Sequence, residues 1–429
     1  MITPKLLIYN LFPPLAGRFA DWNPHLERAR DMGFTHIFIN PFHLPGKSGS
    51  IYAIKDFYRI NPAMVDPSAV RDSYQQLDAM IQTARNLGLE LILDLVINHT
   101  ACDSPLLDQH PAWFKKDPHG DWVHPGAWDN TTQKRITWND LVEVDNELSS
   151  EKESLWKYWL DLILFFTARG ISGFRCDAAY KVPIDLWAFL ITHVKSRYPK
   201  TIFLAETLGC SPDETVRIAR SGFDFVFNSS KYWNFYDNWC LEQYDLYRKY
   251  TRTVSFMESH DTPRLAAETG FDLNTVKLRY AFAAVFSSGL MMPIGFEYGF
   301  SQKLDVVHTR PEHWEPVRWD LSEYIRNCNR YKLDYPIFRN ETPITRLENP
   351  NDRVLILQKT IADLSESALI IINKDSHNYQ YIEFNSLYSL FGQKKLIRDI
   401  SPEYELDFMP DHFEYHLRPS QIIILYQKS

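Results

Sequence analysis

At 429 residues the chain is too long for one small core and accommodates a barrel of roughly 250 residues with appended domains. Its 45% hydrophobic and 23% charged residues are those of an ordinary globular protein, not a disordered or fibrous one. A net charge of −8, with no Lys/Arg-rich run, argues against a nucleic-acid or anionic-membrane partner.

The N-terminus, Met1-Ile2-Thr3-Pro4-Lys5, moves straight into a strand-like run at 6–12. It lacks a basic region followed by an apolar stretch and a small-residue cleavage site, so no signal peptide is expected. No run of about 18 apolar residues suggests a membrane span. The five cysteines (102, 176, 210, 240, 328) are scattered, odd in number and without metal-ligand spacing, and are read as reduced thiols of a cytoplasmic protein.

Strand-like and helix-like segments alternate from residue 5 to about 335. The first strand at 6–12 is followed by a helix at 25–32 closed by Gly33, a strand at 36–40, a helix at 73–86 and a strand at 89–97. Further helices are expected at 155–168, 184–198, 213–220 and 275–288, with strands at 173–177, 202–206, 223–227, 254–257 and 290–294. Near-continuous apolar strands alternating with helices indicate a parallel sheet covered on both faces, and eight such units predict a closed (β/α)8 TIM barrel. Residues 100–147 interrupt the rhythm after the third strand. They are rich in Pro, Asp, His and Trp, with little periodicity, as expected of a functional excursion. After about 340 the pattern becomes short β-rich runs at 354–359, 368–373, 379–384 and 421–426, separated by turn residues, which predicts a small C-terminal antiparallel β domain. The expected division is therefore a barrel from 1–99 and 148–340, an insertion at 100–147, and a C-terminal domain at 341–429.

Reactive groups of such barrels stand at the C-terminal ends of strands. The third strand ends Asp94-Leu95-Val96-Ile97-Asn98-His99, the fourth Arg175-Cys176-Asp177, the fifth Ala205-Glu206-Thr207 and the seventh Met257-Glu258-Ser259-His260-Asp261. Arg175 and Asp177, two apart in a strand, share a face, and an acid beside a permanent cation is held in its charged form. That suits a nucleophile, although a lone Arg-x-Asp is more often a structural ion pair. Four strand ends carrying Asp or Glu, with two His and an Arg, are not ordinary, because such residues are rarely fully buried unless paired.

In order, these segments resemble the conserved regions of the alpha-amylase superfamily of retaining glycoside hydrolases and transglycosylases. Its fourth-strand Gly-Phe-Arg-x-Asp-Ala is matched by Gly173–Ala178. Two further segments are similar: Tyr52-Ala53-Ile54-Lys55-Asp56-Phe57-Tyr58 and Trp138-Asn139-Asp140-Leu141. The resemblance covers about residues 5–335, and the family carries a β-sandwich where the tail domain lies. It implies Asp177 as nucleophile, Glu206 as general acid/base, and Asp261 as the group that holds sugar hydroxyls and stabilises the transition state. Arg175 would keep Asp177 charged, His99 and His260 would donate to hydroxyls of the same sugar, and Tyr52 would stack on its apolar face. Glu206 follows Ile-Phe-Leu-Ala, and an apolar setting near other carboxylates raises a pKa, as an acid catalyst requires. Asp94 reads as a structural partner of Arg175, and Glu258 as structural. Trp113, Trp122, Trp128, Trp233 and Trp239 are subsite candidates for which packing is an equal explanation.

The chain departs from the family at Asp177-Ala178-Ala179-Tyr180-Lys181-Val182-Pro183, where Lys181 replaces a histidine that helps a calcium site. Asn98 keeps the residue type of another calcium ligand, but the set is incomplete, so no metal or other cofactor is expected. Ala179–Pro183, His110-Pro111-Ala112-Trp113-Phe114 and Asp305–Pro311 instead resemble the maltosyltransferase branch, in which a maltosyl unit moves from a phosphate donor onto an α-glucan. The expectation is a cytoplasmic hydrolase or glucanotransferase on α-1,4-glucans, with phosphate-donor maltosyl transfer as the alternative. A catalytically silent amylase-like binding subunit is the rival from another class. Chains of that kind carry a membrane anchor and have lost catalytic acids.

Overall fold

In a computed structural model, residues 5–129, 133–361, 365–392, 395–403 and 406–428 are described. The reading at residues 1–4 lies outside them. Eight strands close a parallel barrel: β1 (Leu6–Leu11), β2 (His36–Ile39), β3 (Glu90–Leu95), β4 (Gly173–Cys176), β5 (Ile202–Ala205), β6 (Phe225–Phe227), β7 (Arg252–Phe256) and β8 (Gly289–Pro293). Each pairs in parallel with its sequence neighbours, and β8 closes onto β1. The strands are mostly apolar because side chains on both faces are largely buried. Leu6, Ile8, Phe38, Ile92, Leu204, Phe225, Val254 and Met291 fill the barrel interior, and alternate residues such as Leu7, Ile37, Leu91 and Phe203 pack under the helices.

Helices α1 (Asn23–Asp31), α2 (Ser73–Asn86), α3 (Lys152–Arg169), α4 (Ile184–Arg197), α5 (Pro212–Ala219), α6 (Trp239–Tyr247), α7 (Leu273–Phe286) and α8 (Ser322–Asp334) surround it. Two of these, α6 and α8, were not anticipated. Their buried faces are Cys240, Tyr244 and Tyr247, and Tyr324, Ile325, Cys328 and Tyr331. Both are correctly spaced for a helix, but built of aromatic and sulfur residues within otherwise polar segments.

The stretch after β3 is not structureless. It forms a short pair between His99–Ala101 and Leu141–Glu143 and a hairpin of Gly126–Asp129 with Lys134–Thr137. Beyond the barrel, β9 (Ile344–Leu347), β10 (Val354–Thr360), β11 (Glu366–Asn373), β12 (Gln380–Phe384), β13 (Ile397–Asp399), β14 (Phe413–Leu417) and β15 (Ile422–Lys428) are all antiparallel. Five of them form one sheet in the order β9-β10-β11-β15-β13, and β12 pairs with β14. Residues of β11 alternate between two cores. Ala368, Ile370 and Ile372 pack with the barrel helices, whereas Leu369 and Ile371 pack with Ile382 and Phe413 of the β12–β14 ribbon.

Candidate active site

The residues singled out by sequence gather at one end of the barrel. Asp177 follows β4, and its N–H donates to Leu95 O at 3.0 Å. Arg175, 5% exposed, donates from Nη1 to Asp177 Oδ1 at 2.7 Å and to both oxygens of Asp94 at 2.9 and 3.0 Å. One guanidinium therefore serves two acids on neighbouring strands. Burial pushes Asp94 up to about 6 against the pull of Arg175.

Glu206 lies across the β4–β5 ladder from Asp177. The register runs Gly173 opposite Ile202 to Cys176 opposite Ala205, and continues through Glu206 N–H to Cys176 O at 3.0 Å. Its carboxylate accepts the N–H of Ala178 at 2.9 Å and that of Leu208 at 2.6 Å. Ala178 reaches this position in the left-handed region, φ 40° and ψ 52°, an uncommon conformation for a residue with a Cβ. Burial, assisted by Asp177 and opposed by Arg175, raises Glu206 to about 7.

Asp261 is joined to the other acids through a polar chain. Its Oδ2 lies 3.0 Å from His260 Nε2, which lies 2.7 Å from the hydroxyl of Tyr52, and that hydroxyl donates to Asp94 Oδ2 at 2.6 Å. The Asp261 side chain is 66% exposed, at the mouth of the site. Burial of its surroundings would raise its pKa, but His260, Arg175 and Lys303 outweigh this and hold it well below the carboxylate range. The rings of Tyr52 and His260 lie parallel, 5.4 Å apart. His99 is buried, with Nε2 3.2 Å from Tyr52 O, and burial lowers its pKa against the charge of Asp177.

All seven proposed site residues thus fall in one connected cluster. Glu258 does not join it: its carboxylate is buried, held by Arg264 Nη1 at 2.7 Å and by the N–H of Leu265. Among the tryptophans, Trp113 and Trp233 are core residues, whereas Trp128 is exposed. Sequence reasoning missed Asn40, which donates from Nδ2 to the Tyr52 hydroxyl at 2.8 Å. A polar residue directly after the apolar strand 36–39 was the same signal that marked Glu206.

The residues do not fit a family-type calcium ion. Asn98 Oδ1 is buried without a partner, but among the described residues no three His, Cys, Asp or Glu groups gather near it, and Lys181 is exposed. A cation that takes six to eight oxygen ligands is not offered a ready cluster of three such groups there. The sole such cluster among the described residues is Glu383, His412 and Glu414, all exposed, on the C-terminal ribbon. No helix of the described residues is long and apolar enough to cross a membrane.

Residues 3–114 match a family described as the glucanotransferase domain of glycogen debranching enzyme. An alpha-1,4-glucan:maltose-1-phosphate maltosyltransferase of Burkholderia pseudomallei is 28% identical over 95% of this chain and 38% of its own length. One from Cereibacter sphaeroides is 26% identical over 94% of this chain and 62% of its own length. The chain thus spans about two fifths to three fifths of the length of these curated relatives. Among solved structures, an alpha-amylase from Geobacillus thermoleovorans complexed with acarbose aligns with a TM-score of 0.79 at 20% identity, over 98% of both chains. One from Lactobacillus plantarum gives 0.77 at 20% identity over 99% of both.

Proposed function

We propose, from the alpha-amylase superfamily fold and motif set that this chain carries, that it is a retaining enzyme acting on α-1,4-glucans by hydrolysis or glucanosyl transfer. The observation that carries the reading is the pair across the β4–β5 ladder: Asp177, ion-paired to Arg175, and Glu206, whose carboxyl is buried and pushed up to about 7. The two acids follow paired positions on strands whose backbones run about 4.8 Å apart, and a retaining glycosidase needs two carboxyls about 5–5.5 Å apart. Asp177 would attack the anomeric carbon while Glu206 gives its proton to the leaving oxygen, forming a glycosyl–Asp177 ester. Glu206 would then take the proton of the incoming water or sugar hydroxyl. Asp261, His260 and His99 would bind hydroxyls of the same sugar, and Tyr52 would support them by tying His260 to Asp94.

A second reading, maltosyl transfer from a phosphate donor, is favoured by the names of the curated relatives, which align over nearly the whole chain. The unpaired cysteines support a reducing, cytoplasmic setting. The deciding experiment incubates the protein with maltoheptaose, alone and with maltose 1-phosphate, and separates the products. Redistributed or shortened chains without the phosphate donor are expected. Longer chains formed only with it would overturn the first reading in favour of the second. Trapping with a fluorosugar should label the wild type and not Asp177→Ala; sugar binding with no turnover on any α-glucoside would leave only a binding role.

A further inference from the structure

Strand β6 lies between β5 and β7, so the turn that follows it stands between the strand ends that carry Glu206 and Asp261. That turn, Ser230–Tyr232, presents one large side chain outward. Tyr232 is 58% exposed, while Ser230 and Trp233 on either side are 3% and 0% exposed. The turn is anchored from below: Ser230 Oγ bonds Ser255 Oγ at 3.1 Å, Ser230 N–H donates to Asn228 Oδ1 at 3.1 Å, and Arg279 Nη1 donates to Trp233 O at 2.6 Å. Beside it, the Lys231 ammonium pairs with Glu268 at 2.6 Å. An exposed aromatic ring on so rigid a pedestal offers a flat apolar face at little cost in side-chain entropy. Shielding of its base, then the carboxylates of Glu268, Asp261 and Glu206, raise the pKa of its phenol, so the ring is within electrostatic reach of both acids.

We infer that Tyr232 is the platform on which the acceptor sugar stacks, and that it sets how the glycosyl–Asp177 intermediate divides between a sugar hydroxyl and water. The inference rests on the function proposed above. In transfer, the acceptor oxygen bonds the anomeric carbon, the bond from that carbon to Asp177 breaks with its electron pair returning to the carboxylate, and the hydroxyl proton passes to Glu206. Water follows the same path, releasing free sugar and leaving Glu206 protonated. Both routes share every catalytic group, so only acceptor positioning separates them. A stacked acceptor gains over bulk water by being held in line.

The test supplies α-maltosyl fluoride as donor and maltoheptaose as acceptor to wild type, Tyr232→Ala and Tyr232→Phe. Released fluoride counts all turnovers, and lengthened chains count transfers. The transfer-to-hydrolysis ratio is expected to fall about tenfold in Tyr232→Ala and to be retained within about twofold in Tyr232→Phe, the scale of losing an aromatic contact. An unchanged ratio in Tyr232→Ala, an equal fall in Tyr232→Phe, or a wild type that releases fluoride without ever extending the acceptor would each overturn it. Failure of the underlying reading is separate: fluoride release would then be missing in wild type or undiminished in Asp177→Ala.

Discussion

Glu206 receives two backbone N–H donors, which favour its carboxylate form, yet its pKa rises to about 7. Burial and the neighbouring Asp177 charge outweigh them. If Glu206 is the acid, the rate requires its protonated form, so kcat/KM on maltooligosaccharides should decline as pH rises through about 7. Glu206→Gln should remove that limb and lower the rate by about 10²- to 10⁴-fold. A pH–rate profile of both proteins checks this, and an unaltered alkaline limb in the variant would exclude Glu206 as its source. The acid, its apolar approach and the Arg175–Asp177 pair were legible in sequence, because strand alternation alone puts residues 175 and 177 on one face. Ala178 was not legible in this way. Its left-handed backbone, which aims an N–H at Glu206, is fixed by the turn after β4 and leaves no mark in an alanine.

At the level of elements, β4 is seated by a glycine. A Cβ on Gly173 would stand 2.5 Å from Ile202 Cγ1 and 3.0 Å from Ile202 O, so the Ile202 side chain would have to move and β5 would be pressed. Gly173→Ala is therefore expected to cost about 1–3 kcal/mol by overpacking and to lower kcat by shifting Asp177 against Glu206. Urea unfolding together with steady-state kinetics tests this; wild-type stability and kcat in the variant would refute it. The barrel strands and six of the surrounding helices were readable because burial on both faces demands long apolar runs. Helices α6 and α8 escaped because tyrosine and cysteine supply their buried faces. Strands β9, β13 and β14 escaped because they are short, and their exposed positions interrupt the apolar signal.

Across the whole molecule, the C-terminal sheet is locked to the barrel through buried charge. Lys359 on β10 donates to Phe286 O at 2.9 Å at the end of α7, and Glu341, just before β9, accepts from Thr253 N–H and Ser288 Oγ. Burial depresses Lys359 from 10.5 to about 8. Between those values the unfolded chain binds a proton that the folded protein does not, so this residue makes stability rise with pH, by up to about 1.4 kcal/mol per unit. Denaturant unfolding at pH 8, 9 and 10 should show that Lys359→Met lacks this component of the wild-type slope; parallel slopes would rule it out.

The order of apolar strands and helices, and the acids placed at four strand ends, were written in the chain, because side-chain periodicity and strand-end polarity are local properties of a sequence. Which side chains touch at the strand ends was not. Barrel closure brings Asp261, Glu206 and Asp177 to one rim, threads Tyr52 between Asp94 and His260, and sets Tyr232 between two acids. Those contacts join residues tens to hundreds of positions apart, and only packing of the complete core selects them.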